Sequence, residues 1–294
     1  MTSATDPATA TPELTTTTVE TTLGPINVTE TGSGTPLVLM HGGGPGVSAL
    51  ANYLDNLPAF ADNYRVILPD QPGFGESYRP TAADLEERSI TDITVDAMFQ
   101  VLEALGVEDY HLLGNSLGGA AALGMAIAQP DRVKKLVLMA PGGGWLPTVA
   151  PTPTEGQKQM FKYYNGEGPT LAKMKQFVRV MVANAKNFSE EDLQKRYEAS
   201  LDESHIEFYH AYNASFAKRG GMDPLWKDLG RITADTLLLW GRDDRTITLD
   251  GASTMLKQIR KVQMHVFSGC GHWVQVERKK QFELLVNEFL AGEL

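Results

Sequence analysis

Short apolar runs alternate along the chain with stretches whose apolar residues recur at helical spacing. Runs that are hydrophobic at nearly every position are typical of strands covered on both faces. Strands that alternate with helices favour a parallel sheet with right-handed crossovers. The pattern therefore predicts an α/β fold, in which helices flank a mostly parallel central sheet. The predicted strands are PLVLMH (36–41), YRVILPD (64–70), YHLLGN (110–115), KLVLMA (135–140), TLLLWG (236–241) and QMHVF (263–267).

The clearest helical pattern lies between the second and third predicted strands, in ITVDAMFQVLEALG (93–106). Its apolar residues share one face of a helix, as expected for a helix that packs on a sheet. They are Val95, Met98, Val101, Leu102 and Leu105.

One region breaks the alternation, because no strand-like run occurs in residues 145–213. A stretch rich in proline and glycine leads there into helical segments such as LAKMKQFVRVMVANA and EEDLQKRYEASLD. Ligands of parallel sheets bind beyond the carboxyl ends of the strands. We therefore predict a helical cap at 145–213 that shields a pocket there, inserted between two parts of an α/β core, 23–144 and 214–294.

The first 22 residues, MTSATDPATATPELTTTTVETT, are rich in threonine, alanine and proline. Such a segment buries too little apolar surface to offset its chain entropy, so residues 1–22 are predicted to form a disordered tail. They lack the basic start and the apolar block of a signal peptide, and no apolar run in the chain approaches the length of a membrane span. We expect a cytoplasmic protein that does not bind membranes.

Charge and cysteine content narrow the class of protein. The 294 residues include 26 Lys and Arg against 36 Asp and Glu, which gives a formal net charge of −10. Nucleic-acid binding depends on clustered cations, so a nucleic-acid partner is not expected. Cys270 is the only cysteine, which excludes an internal disulfide, and we expect it to be a small buried side chain. No closely spaced His, Asp and Cys residues indicate a metal site.

A serine stands among glycines where the third predicted strand ends, in Gly114-Asn115-Ser116-Leu117-Gly118. The chain must reverse there into a helix that begins near Leu117, which would expose the Ser116 hydroxyl at the tip of a strained turn. The glycines on either side allow neighbouring backbone to approach closely. The first amides of the helix offer hydrogen-bond donors to an anion.

A serine nucleophile needs a base, and the base needs an acid that orients it. His272 in CGHWVQ follows the last predicted strand, and Asp243 and Asp244 in WGRDDRTI follow the strand before it. The order serine, aspartate, histidine is that of the α/β-hydrolases. Adjacent residues on an extended chain point in opposite directions, so chemistry alone leaves both aspartates open. Taken singly, Ser116 could be a turn residue and His272 a structural histidine, but those interpretations do not explain the combination.

The loop HGGGPG (41–46) follows the first predicted strand. A carbonyl oxygen that becomes negatively charged needs hydrogen-bond donors positioned for it. We expect one donor to be the amide of Leu117 and the other to be the amide of Gly43. His41 is expected to be structural, because a histidine before such a loop can bind backbone without touching substrate.

Together these motifs resemble those of the meta-cleavage product hydrolases, α/β-hydrolases that cut carbon–carbon bonds in ring-opened aromatic catabolites. The resemblance runs from residue 35 to the C-terminus, and HGGGPG, GNS and CGHW are its most specific elements. The segments DQPGFGES, APTPTEG, VRVMV and CGHWVQVE favour the members that degrade seco-steroids in actinobacteria. The remaining matches are LMHGGGPG, GNSLGGAAAL, LMAPGGGW, WGRDDRTITLD and HVFSGCGHWVQVE.

The resemblance implies a catalytic triad of Ser116, Asp244 and His272, and so selects Asp244 by analogy. It also implies that the protein needs no cofactor and forms a homo-oligomer, either a dimer or a tetramer.

Four further residues match the family's substrate-positioning residues: Asn52, Asn115, Arg196 and Trp273. Each also has a structural interpretation. The asparagines could tie down loops, Trp273 could belong to the core, and Arg196 could be a solvated charge on a helix.

The implied activity is hydrolysis of a C–C bond in a 2-hydroxy-6-oxo-dienoate of aromatic or steroid catabolism, after the dienol has been ketonised. Arg196 would bind the carboxylate of this substrate, while Ser116 either attacks the carbonyl or activates water. The same triad would also serve a carboxylesterase, a lactonase or a cofactor-free perhydrolase. A hydrolase-fold protein that binds a ligand without turnover is a third possibility. VSALANYLDNL and VANAKNFSEE lack residues that many relatives show, which leaves the substituent specificity open.

Overall fold

The computed structural model describes residues 12–294, in which eight strands form one sheet in the order β1-β2-β4-β3-β5-β6-β7-β8. All neighbouring strands from β4 to β8 are parallel, whereas β2 pairs with β1 and β4 in antiparallel fashion. The predicted α/β fold is thus confirmed. The strands are β1 (Thr15–Glu20), β2 (Pro25–Thr31), β3 (Thr35–Met40), β4 (Tyr64–Pro69), β5 (Tyr110–Asn115), β6 (Val133–Met139), β7 (Asp235–Gly241) and β8 (Val262–Phe267).

Helices cover both faces of the sheet. One face packs on the long helices α4 and α5, and the other packs on α2 and α12. The α-helices are α1 (Ala49–Tyr53), α2 (Leu57–Ala61), α3 (Ala82–Glu87), α4 (Ile90–Ala104), α5 (Ser116–Ala128), α6 (Glu155–Tyr163), α7 (Leu171–Met181), α8 (Glu190–Ala199), α9 (Glu203–Arg219), α10 (Ser253–Gln258), α11 (Val274–Glu277) and α12 (Lys279–Ala291). None of these helices is long and apolar enough to cross a membrane.

The predicted helix at 93–106 is α4, which begins earlier because the Ser89 side chain caps its first turn by accepting a hydrogen bond from the Asp92 amide. Met98, Val101 and Leu102 are buried against the sheet, as the pattern predicts. Val95 and Leu105 pack at the edge of this cluster and are only partly buried.

The predicted disordered tail at 1–22 is wrong where the structure describes it, and residues 1–11 lie outside the described residues. Thr15–Glu20 form β1, which pairs along its whole length with β2. Threonine fits a pleated strand well, and at the edge of a sheet only one side chain, Val19, needs to be buried. A strand of this kind lacks the continuous hydrophobicity by which the central strands are recognised.

Between β6 and β7 the chain forms the helices α6, α7, α8 and α9, where the cap was predicted. The predicted boundary between residues 213 and 214 falls inside α9, which continues to Arg219. An apolar cluster joins these helices to the edge of the core, and it includes Phe177 of α7 together with Phe74 and Leu117. The cap region therefore packs over the carboxyl ends of the central strands.

The loop that enters the cap region is held by one carboxylate. Asp250 Oδ2 accepts hydrogen bonds from the amides of Thr148, Val149 and Ala150 at 2.7, 2.8 and 3.1 Å, and Oδ1 accepts one from the Thr248 hydroxyl. Burial acts to raise the pKa of Asp250, but these hydrogen bonds outweigh it and hold the pKa well below its usual range.

We expect Asp250→Asn to lower the free energy of unfolding by about 1–2 kcal/mol at pH 7, because the hydrogen bonds lose their charged acceptor. A carboxyl whose pKa is depressed in the folded state stabilises that state above its unfolded pKa of about 3.9, and the contribution is lost as the pH falls below that value. Urea unfolding at pH 7, 5 and 3 should therefore show the two proteins converging toward acid pH. The exposed Asp131 provides the control, and a deficit of the same size for Asp131→Asn, or one independent of pH, would contradict the assignment.

Candidate active site

Ser116 lies at the turn between β5 and α5, near the middle of the sheet. Its φ is 54°, in the left-handed region that favours glycine. A Cβ on Gly114 would meet the Gly118 carbonyl, and a Cβ on Gly118 would meet the carbonyls of Met40 and His41. The glycines thus allow the turn to pack against β3 and its following loop, which is the close approach predicted from the sequence.

The register of the parallel strands brings the other predicted residues to the same edge of the sheet. Gly114 of β5 pairs with Met40, so the loop HGGGPG begins beside the Ser116 turn. Gly241 pairs with Phe267, so the loops that carry Asp244 and His272 leave β7 and β8 side by side.

Asp244 and His272 are hydrogen-bonded, with 2.7 Å between Asp244 Oδ2 and His272 Nδ1, and both side chains are buried. Asp244 Oδ1 accepts from the amides of Thr246 and Ile247 at 2.7 and 3.0 Å. The carboxylate is therefore fixed by backbone on one side and orients the imidazole on the other. His272 Nε2 is buried and has no hydrogen-bond partner among the described residues, which leaves this atom available to a hydroxyl or a substrate.

The structure distinguishes the two adjacent aspartates. The side chain of Asp243 is 41% exposed and lies 3.3 Å from the guanidinium of Arg242. Asp244 points the other way, to His272, and its side chain is not exposed. Of the two candidates, only Asp244 can orient the histidine.

A small cavity of about 40 Å³ lies against Ser116. Gly43 and Leu117 line it, and so do Thr246 and Ile247, whose amides hold Asp244. The cavity thus connects the Ser116 turn to the aspartate loop.

The backbone amides of Leu117 and Gly43 are available as the two hydrogen-bond donors of an oxyanion site. Leu117 lies in the first turn of α5, where amides have no partner within the helix. A Cβ on Gly43 would lie 3.2 Å from Leu117 Cδ2, so the two residues are neighbours. The amide of Gly44 donates to the Tyr209 hydroxyl at 2.8 Å, whereas that of Gly43 makes no hydrogen bond within the described part of the chain.

His41 is structural in its contacts, as predicted. Its Nε2 accepts from the amide of Gln71 at 2.9 Å, so in the neutral ring Nδ1 carries the proton and donates to the Gly42 carbonyl at 2.7 Å. Burial lowers the pKa of His41, against the opposing effect of Asp70, which favours this neutral form. Cys270 is also buried, and burial raises the pKa of its thiol to about 12, so it is not a reactive thiolate.

Arg196 on α8 is a partly buried cation without a carboxylate partner in residues 12–294. Its guanidinium carbon lies 4.8 Å from the ring centre of Trp273 and 5.6 Å from that of Phe177. Its Nε is buried and has no hydrogen-bond partner among the described residues, and a Cβ on Gly44 would lie 3.6 Å from its Nη2. Burial lowers the pKa of Arg196 to about 10, against the opposing effect of three neighbouring tyrosines, so the side chain remains charged at pH 7.

The predicted asparagines lie away from the cavity wall. Asn115 is fully buried and donates from Nδ2 to the Met139 carbonyl at 3.3 Å, while its Oδ1 lies beside Gly42. Asn52 lies on α1, and its Nδ2 is buried. Neither is among the described residues that line the Ser116 cavity.

Sequence reasoning missed the part of the site that α9 supplies. Tyr209, Tyr212 and Phe216 line the Ser116 cavity at positions i, i+3 and i+7 of that helix. This aromatic spacing on one helix face was the available signal. Within residues 12–294, no three His, Cys, Asp or Glu side chains lie together in a group that could hold a metal ion.

Known proteins are similar to this chain in sequence and in fold. A family model described as the alpha/beta hydrolase fold matches residues 36–279. The chain is 39% identical over 267 residues to the 2-hydroxy-6-oxo-6-phenylhexa-2,4-dienoate hydrolase of Comamonas testosteroni. The aligned residues cover 90% of this chain and 91% of that hydrolase. It is 38% identical over 270 residues to the 2-hydroxy-6-oxononadienedioate/2-hydroxy-6-oxononatrienedioate hydrolase of Cupriavidus pinatubonensis, with 91% of each covered.

A solved structure is similar over nearly the whole chain. It is the meta-cleavage product hydrolase from Pseudomonas fluorescens, solved as a serine-to-alanine variant complexed with acetates. The TM-score is 0.81 at 31% sequence identity, and the match covers 95% of this chain and 98% of that one.

The geometry predicts how the site reacts with a fluorophosphonate, a reagent that phosphonylates activated serines. We expect labelling at Ser116, and we expect Asp244→Asn to lower the labelling rate about a thousandfold, because the imidazole loses the acid that orients it. Asp243→Asn is the matched control and should label within about twofold of the unsubstituted protein. Intact-mass spectrometry over time measures each rate, and equal rates for the two variants would show that Asp244 does not orient His272.

Proposed function

The chain belongs to the α/β-hydrolase family, among the meta-cleavage product hydrolases, and on this basis we propose that it hydrolyses the C5–C6 bond of a 2-hydroxy-6-oxohexa-2,4-dienoate. The observation that carries the proposal is the partly buried Arg196, which has no carboxylate partner within the described chain and is separated from the Ser116 cavity by Gly44. A serine that accepts an acyl group needs no such cation. A substrate that carries a carboxylate in addition to its reacting carbonyl needs a cation to bind that carboxylate.

The reaction balances with one water. The C6 carbonyl with its substituent becomes a carboxylic acid, and the rest of the substrate leaves as 2-hydroxypenta-2,4-dienoate. A carbanion at C5 is too basic to leave directly, so we propose that the dienol is first ketonised by a proton added at C5. When the C5–C6 bond then breaks, its electrons are delocalised through the dienolate to the C2 oxygen.

We propose that Ser116, His272 and Asp244 drive the second step. His272 takes a proton from Ser116, or from a water that Ser116 holds, and later returns a proton to the C2 oxygen of the leaving dienolate, which gives 2-hydroxypenta-2,4-dienoate. The 2.7 Å bond to Asp244 supports this role, because it keeps the proton on Nδ1 and leaves Nε2 as the base. The amides of Gly43 and Leu117 would stabilise negative charge on the C6 oxygen.

Arg196 would bind the C1 carboxylate through its guanidinium, bidentately if the geometry permits. The rings of Trp273 and Phe177 support this role, since they hold the guanidinium in place without neutralising it. The charge at C1 would fix the position of C6 relative to Ser116, and it would stabilise the dienolate that leaves.

Relatives differ in the group carried by C6. By their names, the hydrolase of Comamonas testosteroni acts on a phenyl dienoate and that of Cupriavidus pinatubonensis on a dienedioate or trienedioate, at 39% and 38% identity to this chain. Overall identity therefore does not select the substituent. A steroid-derived substituent and assembly into a homo-oligomer remain predictions from the sequence.

The test of the reaction uses the yellow 6-phenyl dienoate. We expect loss of its visible absorbance with formation of one benzoate per molecule, measured by stopped-flow absorbance and chromatography. Ser116→Ala should lower turnover by at least about a thousandfold while the substrate still binds, because the oxyanion donors and Arg196 remain. Rapid hydrolysis of p-nitrophenyl esters with no loss of the dienoate would instead indicate an esterase.

A second test asks whether Arg196 serves the dienoate in particular. We expect Arg196→Gln to lower the ratio of dienoate to p-nitrophenyl acetate kcat/KM about a hundredfold, because the ester has no carboxylate to bind. The neighbouring Lys195, which is exposed and pairs with Glu191, provides the matched control. If Lys195→Gln and Arg196→Gln change the ratio equally, the carboxylate is bound elsewhere.

A further inference from the structure

A second cavity, of about 800 Å³, adjoins the Ser116 cavity. It lies between α6, α9, the loop after β6 and the turn after α9. We call it the outer chamber. The two cavities share the side chains of Gln157, Phe161, Phe216, Met222 and Ile247.

The outer chamber and Arg196 lie on different sides of the Ser116 cavity. Gly44 and Tyr209 line that cavity on the side of Arg196, since Gly44 lies beside the guanidinium and Tyr209 interacts with it electrostatically. Neither residue lines the outer chamber. A substrate whose carboxylate is bound by Arg196, with its C6 carbonyl at Ser116, would therefore direct its C6 substituent into the outer chamber.

We propose that the outer chamber selects dienoates whose C6 substituent is large, multi-ring and uncharged, and that Asp223 in its wall excludes anionic substituents. This inference rests on the proposed function, because it concerns the part of the same substrate that becomes the acid product.

Size supports a multi-ring substituent. A cavity of about 150 Å³ is enough to hold a benzene ring, and the outer chamber is roughly five times larger. Its walls are suited to flat apolar rings, because they include the side chains of Trp145, Phe161, Phe216 and Trp226. A phenyl group would leave most of this volume to water, whereas fused rings would cover much more of the apolar wall.

The charges of the side chains that line the outer chamber favour an uncharged substituent. Among the described residues that line the outer chamber there is no Lys, Arg or His, and Asp223 is the charged side chain. No cation lies within ion-pair distance of Asp223 in residues 12–294. Burial raises the pKa of Tyr212, and the Asp223 carboxylate raises it further, so the negative charge acts close to the wall of the Ser116 cavity as well. A second carboxylate on the substrate would meet like charge there without a compensating cation.

The test compares three 6-aryl dienoates, with phenyl, naphthyl and carboxynaphthyl at C6, by their kcat/KM. We expect naphthyl to exceed phenyl about tenfold, because the second ring buries additional apolar surface. Carboxynaphthyl should fall about a hundredfold below naphthyl. Asp223→Asn should lower the ratio of naphthyl to carboxynaphthyl kcat/KM about tenfold. Asp228→Asn, at an exposed aspartate outside the chamber, should leave this ratio unchanged.

A matched pair of substitutions on α9 tests the volume. Ala217 lines the outer chamber and Ala214 does not, and both are exposed on the same helix, so a large side chain at either position should not prevent folding. Ala217→Trp should lower the ratio of naphthyl to phenyl kcat/KM about tenfold, while Ala214→Trp should leave it within about twofold.

The inference is overturned if phenyl is cleaved as fast as naphthyl, if carboxynaphthyl is cleaved as fast as naphthyl, or if Asp223→Asn changes nothing. If no dienoate is cleaved at all, the proposed function fails. The inference is then decided by titrating the same three compounds onto Ser116→Ala and following their absorbance. Affinity that decreases from naphthyl to phenyl to carboxynaphthyl supports it, and any other order overturns it.

Discussion

The site depends on a single backbone constraint, the left-handed conformation of Ser116. A non-glycine residue in this region costs on the order of 1–3 kcal/mol, so it persists only where the surroundings determine it. Here β5 is paired on both sides, with β3 and β6, and the glycines at 114 and 118 remove the Cβ atoms that would keep the turn away from the neighbouring backbone. The amide of Gly142 donates to the Ser116 carbonyl at 2.9 Å and closes the turn from the other side. The hydroxyl is therefore positioned by the sheet and not by its own side-chain contacts.

The histidine loop and the cap region are joined by a second set of contacts. Glu277 Oε2 accepts from the amide of Gly271 at 2.6 Å, while Oε1 accepts from the amides of Ala183 and Asn184 at 2.9 and 3.1 Å. The His272 amide donates to the carbonyl of Met181, the last residue of α7, at 2.7 Å. The chain after α7 is thus fixed to the loop that carries the imidazole. Displacement of this part of the cap region would displace His272 too, whereas α6 and α9 border the open chamber on the other side.

The sequence was informative where burial imposes a pattern. The strands β3 to β7 are largely apolar because both of their faces are covered, and Ser116 and Asp244 each follow such a strand. The strand before His272, β8, lies at the edge of the sheet and is largely exposed, so its apolar residues do not reflect burial on both faces. β1 carries no comparable signal, since at the edge of the sheet Val19 alone needs to be buried. The choice between Asp243 and Asp244 depends on which carboxylate points inward, and spacing along the chain does not determine that. The outer chamber was also beyond sequence reasoning, because its walls come from segments far apart in the chain whose separation in space is set by packing.

The dimensions of the two cavities impose a condition on catalysis. The Ser116 cavity, at about 40 Å³, is far smaller than the roughly 150 Å³ that hold a benzene ring. A dienoate reaches Ser116 only when the shared side chains between the cavities move apart. Met222 is suited to this, because its thioether packs where Gly142 lacks a Cβ and its unbranched side chain has three rotatable bonds. A substituent that fills the outer chamber would contact Met222, Phe161 and Phe216, which line both cavities. The group that determines selectivity would thereby also keep these side chains apart, so that the dienoate can reach Ser116.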